Sequence, residues 1–273
     1  MVEMERIHKP YKIDSFYHFP NKDVIGFHFT LESKAIDVPG VVVNLLTVFS
    51  VNNISILGFD ISQVKPQAPF EGFIYADITG KNIDPDKLLE ELKDKPYVID
   101  VKLIKPLFNG VICDTYFFPL YALGERAIIF IQRGYEGIIK RARLELGSAF
   151  NTLLYLQGFD MGLNAFQRGH RKIAGRKTER LIKLFEELFK QSGFGVMKVE
   201  EIDLERKEAT IKIYDLFECE LFKGSNKCES HLMRGLLAGW FSQLFKTKVV
   251  AIEVKCIAKG DPYCLFKIKP TTS

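Results

Sequence analysis

The N-terminal part of the chain combines strand-like and helix-like hydrophobic patterns. Residues 24–32 (VIGFHFTLE) alternate apolar and polar side chains, as a half-buried strand does. Residues 41–53 then place apolar side chains at helical spacing. Two strands, a helix starting at Asp84-Pro85-Asp86 and a last strand follow. This order predicts a ferredoxin-like β-α-β-β-α-β domain over residues 24–106, after an N-terminal segment of residues 1–23.

A second domain is predicted over residues 107–270, where the helical patterns are longer. It is expected to contain an early strand at 127–132, a helix from about Tyr135 to Gly158, a break with a short helix between Gly158 and Gly169, a helix over 178–192, a hairpin turning near 204–207, a helix over 228–245, and two closing strands joined at Gly260-Asp261. The predicted class is therefore α+β, with helices flanking an antiparallel sheet in the second domain.

Composition excludes several classes of protein. The chain has 273 residues, 47% hydrophobic and 26% charged, as expected for a globular protein of two domains. A net charge of +4 is too small for the strongly basic footprint of a nucleic-acid-binding module, so we expect no direct nucleic-acid binding. The N-terminus shows no signal peptide and no apolar run reaches membrane-spanning length. We therefore expect a cytoplasmic protein without membrane contact.

Three cysteines and one glutamate follow one another in a suggestive order: Cys228, Glu253, Cys256 and Cys264. Three thiolates and a carboxylate would supply the four donors of a closed zinc site. Positions three apart face opposite sides of a regular strand, so Glu253 and Cys256 need a bulge or a strand end between them. From spacing alone, a zinc site and buried free thiols both remain open.

Residues 24–104 resemble an ACT domain, a small regulatory fold that usually binds amino acids. The matching residues are Asp37-Val38-Pro39-Gly40 before the first helix and Asn52-Asn53-Ile54-Ser55-Ile56 after it. The resemblance implies a ligand in the turn before that helix, which makes Asp37 and Gly40 candidate ligand-binding residues. A glycine there lets a ligand approach free N–H groups at the helix start. A purely structural turn is the alternative.

Residues 107–268 resemble the 4-vinyl reductase-like domain, which also forms the sensor region of phenol- and xylene-responsive transcription activators. The resemblance is carried by Arg126-Ala127-Ile128-Ile129-Phe130, Leu146-Gly147, Arg234-Gly235-Leu236-Leu237-Ala238-Gly239-Trp240, Glu253-x-x-Cys256, Gly260-Asp261-Pro262 and Cys264-x-Phe266. It implies a structural zinc held by Cys228, Glu253, Cys256 and Cys264 beside a buried aromatic pocket. Cys113 and Cys219 match no such position and are expected to be ordinary thiols.

Pocket-lining candidates are the aromatic side chains of the second domain. They are Phe150, Tyr155, Phe159, Phe166, His170 and Trp240. The alternative for each is a place in the packed core. His170 lies in the basic stretch 168–180, which has six Lys/Arg against one Glu and which we interpret as a solvated loop.

These features together favour a small-molecule sensor that binds an aromatic or hydrophobic effector and, in the ACT-like domain, an amino acid. Both resemblances imply a homodimer. The activators continue into an ATPase, but no G-x-x-x-x-G-K-S/T loop occurs here, so we expect a separate output protein such as a transcription regulator. A reductase or accessory enzyme acting on a vinyl, tetrapyrrole or aromatic substrate is the second interpretation. An assembly module, resembling subunits of vesicle-tethering complexes, is the third.

Overall fold

The computed structural model describes residues 8–271, which divide into two compact units between Ile129 and Phe130. We expected the division at residue 107. Residues 107–129 instead cluster with the first unit, because Ile112 packs beside Val24 and Tyr75 there. Residues 1–7 of the expected N-terminal segment lie outside the described residues.

The first unit contains the predicted split β-α-β-β-α-β arrangement. Its main elements are β2 (Val24–Leu31), α1 (Val41–Val51), β3 (Ser55–Ser62), β4 (Phe70–Asp77), α2 (Pro85–Lys93) and β5 (Val98–Ile104), preceded by the short β1 (Tyr17–His18). The four long strands form one antiparallel sheet in the order β3-β4-β2-β5. Two paired strands of two residues each follow the sheet, β7 (Tyr121–Ala122) and β8 (Glu125–Arg126), after β6 (Val111–Ile112), which pairs with β1.

Strand alternation gives this sheet two different faces. Phe27, Phe29 and Leu31 point to one face and pack in a buried core with residues of α1 and α2. On β2, Gly26, His28 and Thr30 alternate with them and point to the other face. One end of that second face is covered by an aromatic cluster around Tyr75, which includes Tyr17 of β1. The other end remains a cleft.

The second unit packs helices on a four-stranded antiparallel sheet in the order β11-β12-β10-β9. Its strands are β9 (Val196–Asp203), β10 (Glu208–Tyr214), β11 (Val249–Lys255) and β12 (Cys264–Pro270). Its helices are α3 (Gln132–Leu146), α4 (Ser148–Asn164), a π-helix (Ala165–His170), α5 (Arg171–Ala174), α6 (Thr178–Gln191), α7 (Phe217–Glu220) and α8 (His231–Phe245). The predicted α+β class is confirmed, and the hairpin between β9 and β10 turns where expected.

Three element boundaries differ from the prediction. The expected strand at 127–132 is absent, because residues 127–131 have no neighbouring strand to pair with. The expected helix from Tyr135 to Gly158 is two helices, which separate at Gly147 with φ +54°. The expected break after Gly158 is instead a continuous helix, which passes into a π-helix at Ala165.

Glycines explain why α4 continues through Gly158. A Cβ on Gly158 would lie 2.0 Å from the carbonyl oxygen of Leu232 on α8, and one on Gly239 of α8 would lie 2.0 Å from that of Phe159. Gly162 and Gly235 make equivalent approaches, so the backbones of α4 and α8 touch along their length. No helix of the described chain is long and apolar enough to cross a membrane.

Candidate metal and ligand sites

Three buried thiols and one carboxylate gather at the end of the β11–β12 hairpin. Their ligand atoms, from Cys219, Glu253, Cys256 and Cys264, all lie within 4.8 Å of one another. The Sγ atoms of Cys219 and Cys256 are 3.5 Å apart, and the Sγ of Cys219 is 3.6 Å from Glu253 Oε1. The thiols are buried and the carboxylate is half-buried, so the group is a compact set of four donors.

The end of β11 brings Glu253 and Cys256 together. The pairing with β12 shifts register between Glu253 and Lys255, and the strand ends at Lys255. A bulge followed by a strand end lets both side chains turn toward one point, which an unbroken strand forbids. Cys264 opens β12 directly opposite.

The fourth donor differs from the sequence-based set. We expected Cys228, but its Sγ lies 3.8 Å from the backbone carbonyl oxygen of Glu253, outside the group of four. Cys219, expected to be an ordinary thiol, takes the fourth place. The sequence pattern around Cys219 reads as a continuing strand, whereas the chain leaves β10 at Asp215 (φ +50°) and forms α7. That turn carries Cys219 under the hairpin; Cys113 belongs to the first unit.

Neighbouring groups support the cluster. Ser230 Oγ donates to Glu253 Oε2 at 2.5 Å, and the backbone N–H of Ile257 donates to the Sγ of Cys264 at 3.3 Å. Asp261 Oδ2 accepts the N–H of Cys256 at 2.8 Å, which fixes the turn after β11. These bonds hold the donor side chains without occupying all of their lone pairs.

The electrostatics of the cluster favour a cation. Burial raises the pKa of Glu253 to about 7. Hydrogen bonds from the Cys219 and Cys264 thiols lower the pKa of Cys256, so the cluster concentrates negative charge on one sulfur. Four donors of mainly soft sulfur chemistry fit zinc better than calcium or magnesium, which prefer oxygen. The residues present therefore fit the group that the sequence pattern implied.

A buried ion pair anchors α7 beside the cluster. Glu218, adjacent to Cys219, accepts the backbone N–H groups of Leu232 (3.1 Å) and Met233 (3.0 Å) at the start of α8. Arg143 of α3 lies 2.7 Å from the same carboxylate. Burial raises the pKa of Glu218 to about 7. Sequence reasoning missed both residues, because nothing local shows that a glutamate on a four-residue helix caps another helix.

Two of the predicted pocket residues are joined in the core of the second unit. Trp240 Nε1 donates to His170 Nδ1 at 2.9 Å, and both side chains are buried. The rings of Phe185 and Trp240 stack with centroids 4.3 Å apart, and Phe166 meets Trp240 edge-on. Burial lowers the pKa of His170 to about 4, so the imidazole is neutral at pH 7 with its proton on Nε2.

The position of His170 corrects one expectation. The basic stretch was interpreted as a solvated loop, but the π-helix continues α4 through it and turns His170 inward. The remaining predicted pocket residues, Phe150, Tyr155 and Phe159, are partly buried and pack against the same core.

The turn before α1 is open. Gly40 has φ +90° and is the N-cap of α1, and a Cβ there would meet no atom within 4 Å. Asp37 is also exposed. The turn has the conformation that the ACT resemblance requires, and amino-acid binding there stays a prediction.

Comparison with known proteins places a family at the C-terminal end. Residues 209–270 match the sequence model of the vinyl-4-reductase (V-4-R) domain. Two uncharacterized proteins of Methanocaldococcus jannaschii are similar, one 29% identical over 128 residues (46% of this chain, 68% of the relative) and one 28% identical over 125 residues (46% and 68%). The expected 4-vinyl reductase-like domain is thus confirmed in this region, whereas the ACT resemblance stays a prediction.

Solved structures show more distant likenesses. One is the phenol-responsive sensory domain of the transcription activator PoxR with phenol (18% identity, 54% of this chain and 78% of that chain, TM-score 0.49). Another is a vinyl-4-reductase family protein from Methanocaldococcus jannaschii (22%, 55% and 87%, TM-score 0.39). At these TM-scores neither carries an argument about what this chain binds.

Proposed function

We propose that this protein is a small-molecule sensor whose second unit binds an aromatic, hydroxyl-bearing effector beside His170 and Trp240. The observation that carries the proposal is the buried hydrogen bond between these two side chains, inside an aromatic cluster. The vinyl-4-reductase domain match over residues 209–270 includes Trp240 and supports it.

The chemistry of the pair suits a phenol-like hydroxyl. A neutral imidazole and an indole N–H in apolar surroundings offer one acceptor and two donors, which a hydroxyl can exchange with. The stacked rings of Phe185 and Trp240 provide the flat apolar contact that an aromatic ring needs. A ligand of this kind would be recognised by its hydroxyl as well as by its shape.

Titration with phenol and toluene tests this proposal through the fluorescence of Trp240, the single tryptophan of the chain. Phenol is expected to bind, and His170→Phe is expected to weaken phenol at least about tenfold, because one hydrogen bond in a buried site is lost. Toluene should distinguish the two proteins little. His8→Phe, at an exposed position, is the matched control. Equal phenol affinity in His170→Phe and wild type would contradict the proposal, and consumption of phenol with an added electron donor would favour the reductase interpretation.

We assign a structural zinc to Cys219, Glu253, Cys256 and Cys264 within the same proposal. Bound zinc would neutralise the buried thiolates and cross-link α7 to the β11–β12 hairpin. Elemental analysis should find about one zinc per chain, lost in Cys219→Ser and Cys256→Ser but retained in Cys228→Ser and in the control Cys113→Ser. Loss in Cys228→Ser with retention in Cys219→Ser would restore the set expected from the sequence.

The effector signal also needs a second copy or a partner. Leu153 and Leu156 on α4, and Leu146 at the end of α3, are 45%, 56% and 58% exposed. A homodimer through this apolar face is the arrangement we propose, with a separate output protein responding to the dimer. Light scattering should show a dimer that Leu156→Glu converts to a monomer. Leu204→Glu, on an exposed turn, should leave the dimer intact.

A further inference from the structure

The first unit contains a cleft that its predicted turn site does not use. It has a volume of about 810 Å³, within the range of small-molecule sites, and lies on the sheet face opposite α1 and α2. Its floor is formed by His28 and Thr30 of β2 and by Glu71 and Phe73 of β4. Residues 116–124 form one wall, and the end of β3 forms another.

A chain of hydrogen-bonded charges lies in this floor. His28 Nδ1 is 2.7 Å from Asp114 Oδ2, and His28 Nε2 is 3.1 Å from Glu71 Oε2. Because both ring nitrogens face carboxylate oxygens, the arrangement suits a doubly protonated imidazolium. Burial opposes that charge, but Asp114 and Glu71 outweigh it and raise the pKa of His28. Two carboxylates and one imidazolium leave the floor with one net negative charge.

The donors of the floor are already engaged. The Oγ1–H of Thr30 donates to Glu71 Oε2 at 2.8 Å. The backbone N–H groups of Tyr116 and Phe117 donate to Asp114 Oδ1 at 2.7 and 3.1 Å. The recorded hydrogen bonds of Glu71 all fall on Oε2, and its side chain is 36% exposed. The floor therefore offers a ligand lone pairs rather than protons.

The rest of the lining extends this preference. Asp60 of β3 adds a carboxylate at the edge of the cleft. Lys102, the lysine of the lining, lies 3.7 Å from Asp100 and 5.0 Å from the centre of the Tyr116 ring, so its charge has partners. Tyr116 and Phe117 pack their rings 5.2 and 5.0 Å from the His28 ring and form an aromatic wall. Aromatic faces beside carboxylates favour cations with an apolar body.

We propose that this cleft binds a small organic amine, with its ammonium group on Glu71 and its apolar body against the Phe117 wall. The site is distinct from the turn before α1 and from the aromatic core of the second unit. It would give the sensor a second input of different chemistry.

Calorimetry on the full chain tests the proposal with two probes of matched shape, cyclohexylmethylamine and cyclohexanecarboxylate. The amine is expected to bind and the acid is not, because the floor repels an anion. Glu71→Gln should weaken the amine at least about tenfold, since a charge-assisted hydrogen bond becomes a neutral one. Glu90→Gln, at an exposed position of α2, should bind like wild type.

A second variant keeps the test independent of the folding of Glu71→Gln. Ser62 is exposed on β3 at the edge of the cleft, so Ser62→Lys adds a cation there without disturbing the core. It should also weaken the amine severalfold. The proposal is overturned if the acid binds as well as the amine, if neither probe binds at millimolar concentration, or if Ser62→Lys and a folded Glu71→Gln both bind the amine like wild type. None of these results bears on phenol binding at His170.

Discussion

The contact between α4 and α8 allows a sharp test of the packing in the second unit. Gly158→Ala adds one methyl group whose carbon would lie 2.0 Å from the carbonyl oxygen of Leu232 and 2.9 Å from the amide nitrogen of Leu236. Both atoms belong to the backbone of α8, so no side-chain rotation relieves the clash. The helices have to separate.

The magnitude follows from two opposing effects. A non-bonded carbon–oxygen contact needs more than about 3 Å, so α4 and α8 must separate by roughly 1 Å, which forfeits much of the attraction between the atoms that line the contact. Overpacking of this kind costs about 3 kcal/mol, while replacing a helical glycine by alanine gains about 1 kcal/mol. The net loss is about 2 kcal/mol, or a decrease of about 4–8 °C in Tm for a unit of this size.

Unfolding in urea, followed by the fluorescence of Trp240, measures this loss in the second unit alone. Gly137→Ala is the matched control: it lies in α3, and a Cβ there meets no atom within 4 Å, so the same substitution should stabilise by up to about 1 kcal/mol. If Gly158→Ala proves as stable as Gly137→Ala, the close approach of α4 and α8 is wrong.

Three further predictions concern single side chains. The raised pKa of His28 means that its pairing stabilises the first unit fully below the unfolded value of 6.5 and is lost as pH rises through the folded value. Urea unfolding by circular dichroism should show this decline in wild type but not in His28→Gln. Glu218→Gln should destabilise the second unit by about 3 kcal/mol in the Trp240 fluorescence assay, because Arg143 loses a buried anionic partner. Asp84→Ala removes the N-cap of α2 and should cost about 1 kcal/mol in thermal unfolding, whereas Asp94→Ala at the other end should cost less.

The sequence predicted the first unit well because its signals are local. Alternation in β2, the Asp84-Pro85 start of α2 and the turn at Gly40 each specify one element without reference to the rest of the chain. The charged floor of the cleft was not predicted. His28 is 43 positions from Glu71 and 86 from Asp114, and no short-range pattern relates them.

The second unit was harder to predict because tertiary contacts override local signals. Gly158 reads as a break, but its missing side chain is what allows α4 to touch α8. The donors Glu253, Cys256 and Cys264 were found from spacing, since one hairpin carries all three. Cys219 was missed because its place depends on how α7 folds back, which only the three-dimensional arrangement reveals.

Helix α8 connects the two candidate sites of the second unit. Its first turn is capped by Glu218, the neighbour of the cluster residue Cys219, and its third turn carries Trp240, which bonds to His170. At 1.5 Å per residue, His231 and Trp240 are about 14 Å apart along one rigid rod. Its glycine contact with α4 leaves little room for tilting, so a displacement at one end reaches the other nearly undiminished. The four-donor cluster thus serves as the fixed anchor against which a ligand at Trp240 would have to move the helix.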